Sequence, residues 1–145
     1  MTTGPFRRIL VGWDCSPGAT AALRAAMAVA SDEAARVVVL AVLKPAPSTE
    51  EAAEGAADFD GRQRFAEESF AKACATVPDA QRARVTLRFA QSGDAARTVC
   101  DYAQQHGFDL LVLGRHGTGG VLHPRLGHVA ATAARKAGLP VLLAP

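Results

Sequence analysis

No apolar run in this chain approaches the ~18 residues that a membrane span requires, and the opening residues, Met1 to Arg8, lead into no apolar core of the kind a secretory leader carries. A soluble, cytoplasmic protein with no membrane partner is the expectation. An excess of one charge is lacking too, since 16 basic side chains stand against 14 acidic ones for a formal charge of +2. That balance is too even for a nucleic-acid footprint. Cysteine is scarce. Cys15, Cys74 and Cys100 are odd in number, show no C-x-x-C spacing and lie among apolar or small neighbours, so a disulfide framework is excluded and small core thiols in a reducing compartment are expected. Several catalytic signatures are missing as well: there is no G-x-x-x-x-G-K-[ST], the first loop "GWDCSPG" is not G-x-G-x-x-G, and no G-x-S-x-G elbow occurs. His116, His123 and His128 fall in one stretch, but no cysteine or carboxylate joins them there, which argues against a metal centre.

What is present is alternation. With 145 residues, 49% of them hydrophobic and 21% charged, the chain has the size and composition of one globular domain, residues 1–145. "RRILVGW" (7–13), "RVVVLAVL" (36–43), "DLLVL" (109–113) and "PVLLA" (140–144) are short runs rich in leucine or β-branched residues, as expected of strands covered on both faces. "RVTLRFA" (84–90) differs: Val85, Leu87 and Phe89 alternate with Thr86 and Arg88, the pattern of an edge strand. Four helical stripes separate these runs. The first follows Ser16 as N-cap and Pro17 at the first helical position, with Ala19, Ala22, Leu23, Ala26, Met27 and Ala30 on one face. Ala66, Phe70, Ala73, Cys74 and Val77 mark the second; Ala96, Val99, Cys100 and Ala103, capped by Asp94 and stopped near Gly107, mark the third. Leu126, Val129, Ala130, Ala133, Ala134 and Ala137 mark the fourth, stopped at Gly138. The acidic, alanine-rich stretch from Lys44 to Gly61 carries no such stripe and is expected to be a surface loop.

Strands alternating with helices call for a parallel sheet wrapped by right-handed crossovers. Of the two common orders, 2-1-3-4-5 puts the second strand at an edge and 3-2-1-4-5 puts the third there. Because the second strand is apolar throughout and the third alternates, the expected fold is α/β: a single doubly wound, Rossmann-like, five-stranded parallel sheet of order 3-2-1-4-5 with helices on both faces. Ligands of such sheets bind beyond the carboxyl ends of the strands where the chain direction switches, here between strands one and four.

Five glycines crowd the loop after strand four: Gly114, Gly117, Gly119, Gly120 and Gly127. Glycine loses the most backbone entropy on ordering, so such density marks a sharp bend or a close approach. A loop of this kind that ends at a helix N-terminus presents main-chain N–H groups to an anion. Arg115, His116, His123 and Arg125 add positive character, and no acidic residue lies between Gly114 and Pro145.

The spacing Gly114-x2-Gly117-x9-Gly127 resembles the nucleotide-binding motif of the ATP-binding universal stress proteins, G-x2-G-x9-G followed by Ser or Thr. The likeness runs through nearly the whole chain: "RILVGWDCSPGATAAL" is similar to that family's first strand, aspartate and helix start, "QSGDAARTV" to its Gly-Asp turn, "DLLVLGRHG" to its fourth strand and "GLPVLLAP" to its closing strand. The resemblance implies ATP as cofactor, with Mg or Mn as candidate counter-ion. It implies that Asp14 meets the adenosine portion, that Gly12 lines the same pocket and that the backbone of Val42 meets adenine. Gly114, Arg115, Gly117 and the backbone of Thr118, Gly119 and Gly120 would hold ribose and phosphates, and Gly127, His128 and Val129 would meet phosphate at the start of the last helix. It also implies a homodimer through the strand Pro140–Ala144, whose Val141, Leu142 and Leu143 form an edge with no protecting charge.

One position departs from the motif. His128 stands where the family has a hydroxyl, and a donor lost to a charged partner costs on the order of 1–3 kcal/mol. The expected function is therefore an ATP-binding regulatory stress-response protein, a switch of conformation or partners. Nothing in the glycine loop resembles a base for phosphoryl transfer, so ATP hydrolysis is expected to be slow at most. The alternatives are a dimeric interaction module of the same fold that binds no nucleotide, and an enzyme acting on an adenylated substrate. Trp13, next to Asp14, is expected to report nucleotide by its fluorescence.

Overall fold

Five short strands, β1 (Arg8–Trp13), β2 (Arg36–Leu43), β3 (Val85–Gln91), β4 (Leu110–Gly114) and β5 (Val141–Ala144), pair in parallel in the order β3-β2-β1-β4-β5. This is the expected order. The computed structural model describes residues 6–30, 32–45, 52–116 and 127–145, with the backbone alone for residues 52–58. Between the strands run α1 (Pro17–Val29), α2 (Ala52–Cys74), α3 (Asp79–Arg82), α4 (Ala95–Gln105) and α5 (His128–Lys136).

Side chains alternate across a strand, so apolar runs feed two cores. Ile9, Val11 and Trp13 of β1, Val37, Val39 and Ala41 of β2, and Leu110 and Val112 of β4 pack on one face with Ala19, Ala22, Leu23 and Ala26 of α1 and Ala66 and Ala73 of α2. Leu10, Leu40, Leu111 and Leu113 pack on the other with Val99, Cys100 and Ala103 of α4 and Ala133 of α5. Ile9, Leu10, Leu23, Leu40 and Leu111 are among the side chains wholly withdrawn from water. Each contributes roughly 1.5–3 kcal/mol. No residue of β3 is fully buried and Arg88 is exposed, as an edge position dictates. Gly107 and Gly138 take φ of 68° and 71°, the left-handed conformation that ends α4 and α5.

Two features differ from expectation. The Lys44–Gly61 stretch is not all loop, because α2 already begins at Ala52; residues 46–51 lie outside those described. Four alanines within residues 52–61 supply the helix propensity, and a helix can extend on propensity beyond the turns that its apolar stripe anchors. The second is α3, a single turn after Pro78. It holds Arg82 where its guanidinium donates to the carbonyls of Cys74, Ala75 and Val77, satisfying the exposed end of α2. Among the described residues no helix is long and apolar enough to cross a membrane.

Candidate functional site

β1 and β4 are neighbours in the sheet, yet the chain leaves them toward opposite faces: α1 packs on the first core and α5 on the second. This is the switch point, outside which ligands of open α/β sheets bind in the crevice at the carboxyl ends of the strands. Gly12, the last residue but one of β1, pairs with Leu40, and Val42 lies one residue past the Trp13–Ala41 pair, level with Asp14. Gly114 pairs with Ala144 at the end of β4. The topology thus gathers Gly12, Asp14, Val42, Gly114 and Arg115 at one end of the sheet.

The turn after β1 is built by short side chains. Asp14 Oδ1 accepts from the Ser16 amide at 3.0 Å and from the Ser16 hydroxyl, while Ser16 Oγ accepts from the Ala19 amide at 3.1 Å. Ser16, 3% exposed, is the N-cap of α1 as expected, and Pro17 follows it. Asp14 itself is exposed, and its second oxygen carries no hydrogen bond to another described residue. Between them Cys15 adopts φ 66°. A left-handed backbone costs a residue with a Cβ roughly 1–2 kcal/mol, and here the tight Asp14–Ser16 hydrogen bonds impose it.

The far side of the crevice is the loop from β4 to α5. The Arg115 amide donates to the Ala144 carbonyl at 2.7 Å, and the Gly127 amide donates to the Arg115 carbonyl at 2.9 Å. These two bonds tie both ends of the glycine loop to the sheet. Gly127 is the N-cap of α5, with φ −61° and ψ 159°, and no side chain caps the helix there. Among the described residues the first-turn amides at His128 and Val129 therefore have no side-chain acceptor, and glycine offers none of its own to the positive end of the helix dipole. His128 is exposed and Val129 half-buried. Gly117, Thr118, Gly119 and Gly120 lie outside the described residues, as do His123 and Arg125. His116 is half-buried, and its Nδ1 is withdrawn from water with no partner among the described residues.

Val42 packs with the second core and is half-buried. Gly12 faces the same way: a Cβ there would come within 2.5 Å of Leu113 Cδ2, so that side chain covers the strand where the glycine leaves room. Trp13 points to the opposite face. Its ring meets Phe70 of α2 edge-on at 6.1 Å, only 5% of the residue is exposed, and its Nε1 has no partner among the described residues. The indole is thus turned away from Gly12 and Val42, which makes it a poorer fluorescent reporter than its place beside Asp14 implies.

Sequence reasoning missed Gly18. A Cβ on it would lie 2.5 Å from the His116 carbonyl oxygen and 3.6 Å from Gly114 Cα; one on Gly114 would lie 2.7 Å from the Gly18 carbonyl carbon. The first turn of α1 and the end of β4 touch backbone to backbone. Only the glycine at the third position after Cys15 hints at this contact, and a tertiary approach leaves no local signature.

The thiols are free. Cys100 is buried and Cys15 and Cys74 are half-buried. Burial pushes the Cys74 thiol up, with the Arg82 guanidinium pulling the other way. It does the same to Cys100, where the Asp101 and Asp94 carboxylates add to the rise. Both are packing groups rather than nucleophiles at neutral pH. Cys15 borders a groove of about 610 Å³ between α1 and α2, whose rim includes Phe65, 63% exposed. Among the described residues, no three His, Cys, Asp or Glu side chains gather to hold a metal ion.

A parallel sheet of this order, with its open crevice and an uncapped helix at the switch point, defines a doubly wound α/β domain of the kind that takes ligands at its carboxyl end. Within that class the chain belongs to the universal stress protein family, which it matches over residues 5–145. No curated protein sequence matches it. Among solved structures it is similar to the universal stress protein UspA of Lactobacillus plantarum, with a TM-score of 0.84 at 22% identity over 99% of this chain and 100% of the other. It is similar also to a universal stress protein in complex with cAMP, with a TM-score of 0.67 at 22% identity over 97% of each chain. A universal stress protein family member of Arabidopsis thaliana with AMP bound gives a TM-score of 0.63 at 16% identity, over 95% of this chain and 90% of that one. At these identities the likeness establishes the fold.

Proposed function

We propose that this protein is an adenine-nucleotide-binding regulatory protein of the stress response, with ATP as its ligand and nucleotide occupancy as its signal. The observation that carries the reading is the open start of α5, an uncapped helix end fastened to β4 through Arg115 and Gly127 at the switch point of the sheet. Main-chain amides and the helix dipole there suit a polyphosphate, and Arg115 adds a cation. Asp14, with one carboxylate oxygen fixed by Ser16 and the other open, suits a ribose hydroxyl. Val42 offers apolar surface to a base. The two structural neighbours that hold cAMP and AMP support the same class of ligand. Mg or Mn would be held by the phosphates, the protein supplying no cluster of its own among the described residues.

The domain is read as a single unit, 1–145, cytoplasmic, and paired with a second copy through β5. That strand is the sheet's edge on the side away from β1, and Val141, Leu142 and Leu143 are all half-buried. The role we read is binding rather than turnover, with hydrolysis slow at most, because the sequence of the glycine loop resembles no base for phosphoryl transfer. A second reading, a dimeric interaction module without nucleotide, draws on His128, where the imidazole replaces a small hydroxyl at the first position of α5.

Calorimetric titration separates the two. The nucleotide reading expects ATP to bind at least tenfold more tightly than adenosine, and His128→Ser to tighten ATP by roughly tenfold, about 1.4 kcal/mol, with adenosine unmoved. No heat from ATP, AMP or adenosine, and no adenylate in the mass spectrum of small molecules released from freshly purified protein, would establish the module instead.

A further inference from the structure

We propose that Gly18 is a positioning residue of this site: its bare backbone seats the start of the β4–α5 loop and so sets the grip on the phosphate end of a nucleotide, independently of the nucleoside end. The inference rests on the reading of that loop as a phosphate site.

Gly18 is the second residue of α1, whose first turn also fixes Asp14 through Ser16. On its other side the same turn lies against Gly114 and the His116 carbonyl, so closely that neither glycine has room for a Cβ. The groups that would be struck are backbone atoms, which cannot swing away as a side-chain tip can. His116 follows Arg115, whose amide and carbonyl are already committed to Ala144 and Gly127. A shift of the His116 carbonyl must therefore pass into the Arg115–Gly127 clamp and change where the amides of α5 point. The added Cβ would also stand 3.5 Å from Ser16 Oγ, an ordinary van der Waals distance, so the Asp14–Ser16–Ala19 bonds need not move to admit it. One helical turn thus touches both ends of the crevice, and of the two it is the phosphate end that a Cβ at residue 18 would push out of place.

Were Gly18 an ordinary helix residue, alanine would be neutral or stabilising there, since alanine is the better helix former by up to about 1 kcal/mol. As a positioning residue it behaves otherwise. Titration of Gly18→Ala should show ATP binding at least tenfold weaker with adenosine binding within twofold of the wild type. Gly93→Ala, at a glycine with nothing within 4 Å of the added Cβ, should leave both constants in place. ATP and adenosine weakening in parallel, or neither weakening, overturns the inference while the nucleotide reading stands. A wild-type protein that binds no adenylate overturns both.

Should Gly18→Ala fail to fold, amide hydrogen exchange of the wild type carries the test. ATP should slow exchange at residues 18–20 together with 127–129, whereas adenosine should leave both segments as they are. Protection of 127–129 by ATP with none at 18–20 would show that the α1 turn bears no part of the grip.

Discussion

Two helices begin within reach of the same crevice, and they begin in opposite ways. α1 starts with a side-chain cap: Ser16 accepts from the Ala19 amide, Pro17 has no N–H to satisfy, and Asp14 holds Ser16. α5 starts at a glycine with no side-chain cap and no acidic residue in its first turn. α4, away from the switch point, is again closed, its Asp94 carboxylate accepting from the Arg97 amide. α1 and α4 thus close their starts with side chains of their own, whereas α5, at the switch point, starts on a glycine that has none to offer. A helix start that its own N-cap leaves incomplete has donors to offer a guest.

If α1 is the closed end, removing its cap should hurt the fold more than any change at α5. Ser16→Ala deletes a buried acceptor for Ala19 and a donor to Asp14 at once. The expected loss is about 2 kcal/mol, a fall in the thermal midpoint of roughly 4–8 °C for a domain of this size. Asp94→Ala, which removes an exposed cap from α4, should cost about 1 kcal/mol in urea denaturation. Equal losses at the two sites would mean that burial of Ser16 and its bond to Asp14 add nothing, and the α1 end would be no more closed than any surface cap.

Cys15 sharpens the comparison from the other side. The closed end is held at the expense of a left-handed cysteine, so Cys15→Gly should stabilise the protein by about 1 kcal/mol, read as a rise in the denaturation midpoint. A drop instead would show that the half-buried thiol contributes more by packing than its backbone loses.

The capped ends were legible because caps are local. Ser16-Pro17 and Asp94 announce α1 and α4 within a few residues, and Gly107 and Gly138 announce the stops of α4 and α5. The strand order was legible from one contrast, β3 alternating while β2 is apolar throughout. What escaped was either weakly patterned or tertiary. The first turns of α2 rest on alanine propensity without an apolar stripe. The one-turn α3 and its Arg82 serve carbonyls of a neighbouring helix. The strain at Cys15 arises from hydrogen bonds on both sides of it, with no glycine to signal φ above zero. Gly18 reads in sequence as a helix residue, and only the folded backbone shows that it touches Gly114. Of the expected site, the glycines and Asp14 were visible as motif, whereas the clamp between Arg115 and Gly127 is a product of the fold.

The smallest expected effect on stability bears most directly on the open end. Gly127 has an ordinary extended backbone at φ −61° and ψ 159°, so serine fits there without strain. Gly127→Ser would install the kind of cap that α1 already has, its hydroxyl accepting from an amide of the first turn of α5. The gain in stability should be only a few tenths of a kcal/mol, because glycine is itself tolerated at an N-cap. The effect on ligand should be larger and opposite, since an internal acceptor competes for the donors that a phosphate needs. ATP should weaken by several-fold while adenosine holds, and the slight rise in midpoint should accompany it. Greater stability together with undiminished ATP binding would mean that the phosphate does not use the start of α5, and the contrast between the two helix ends would then carry no function.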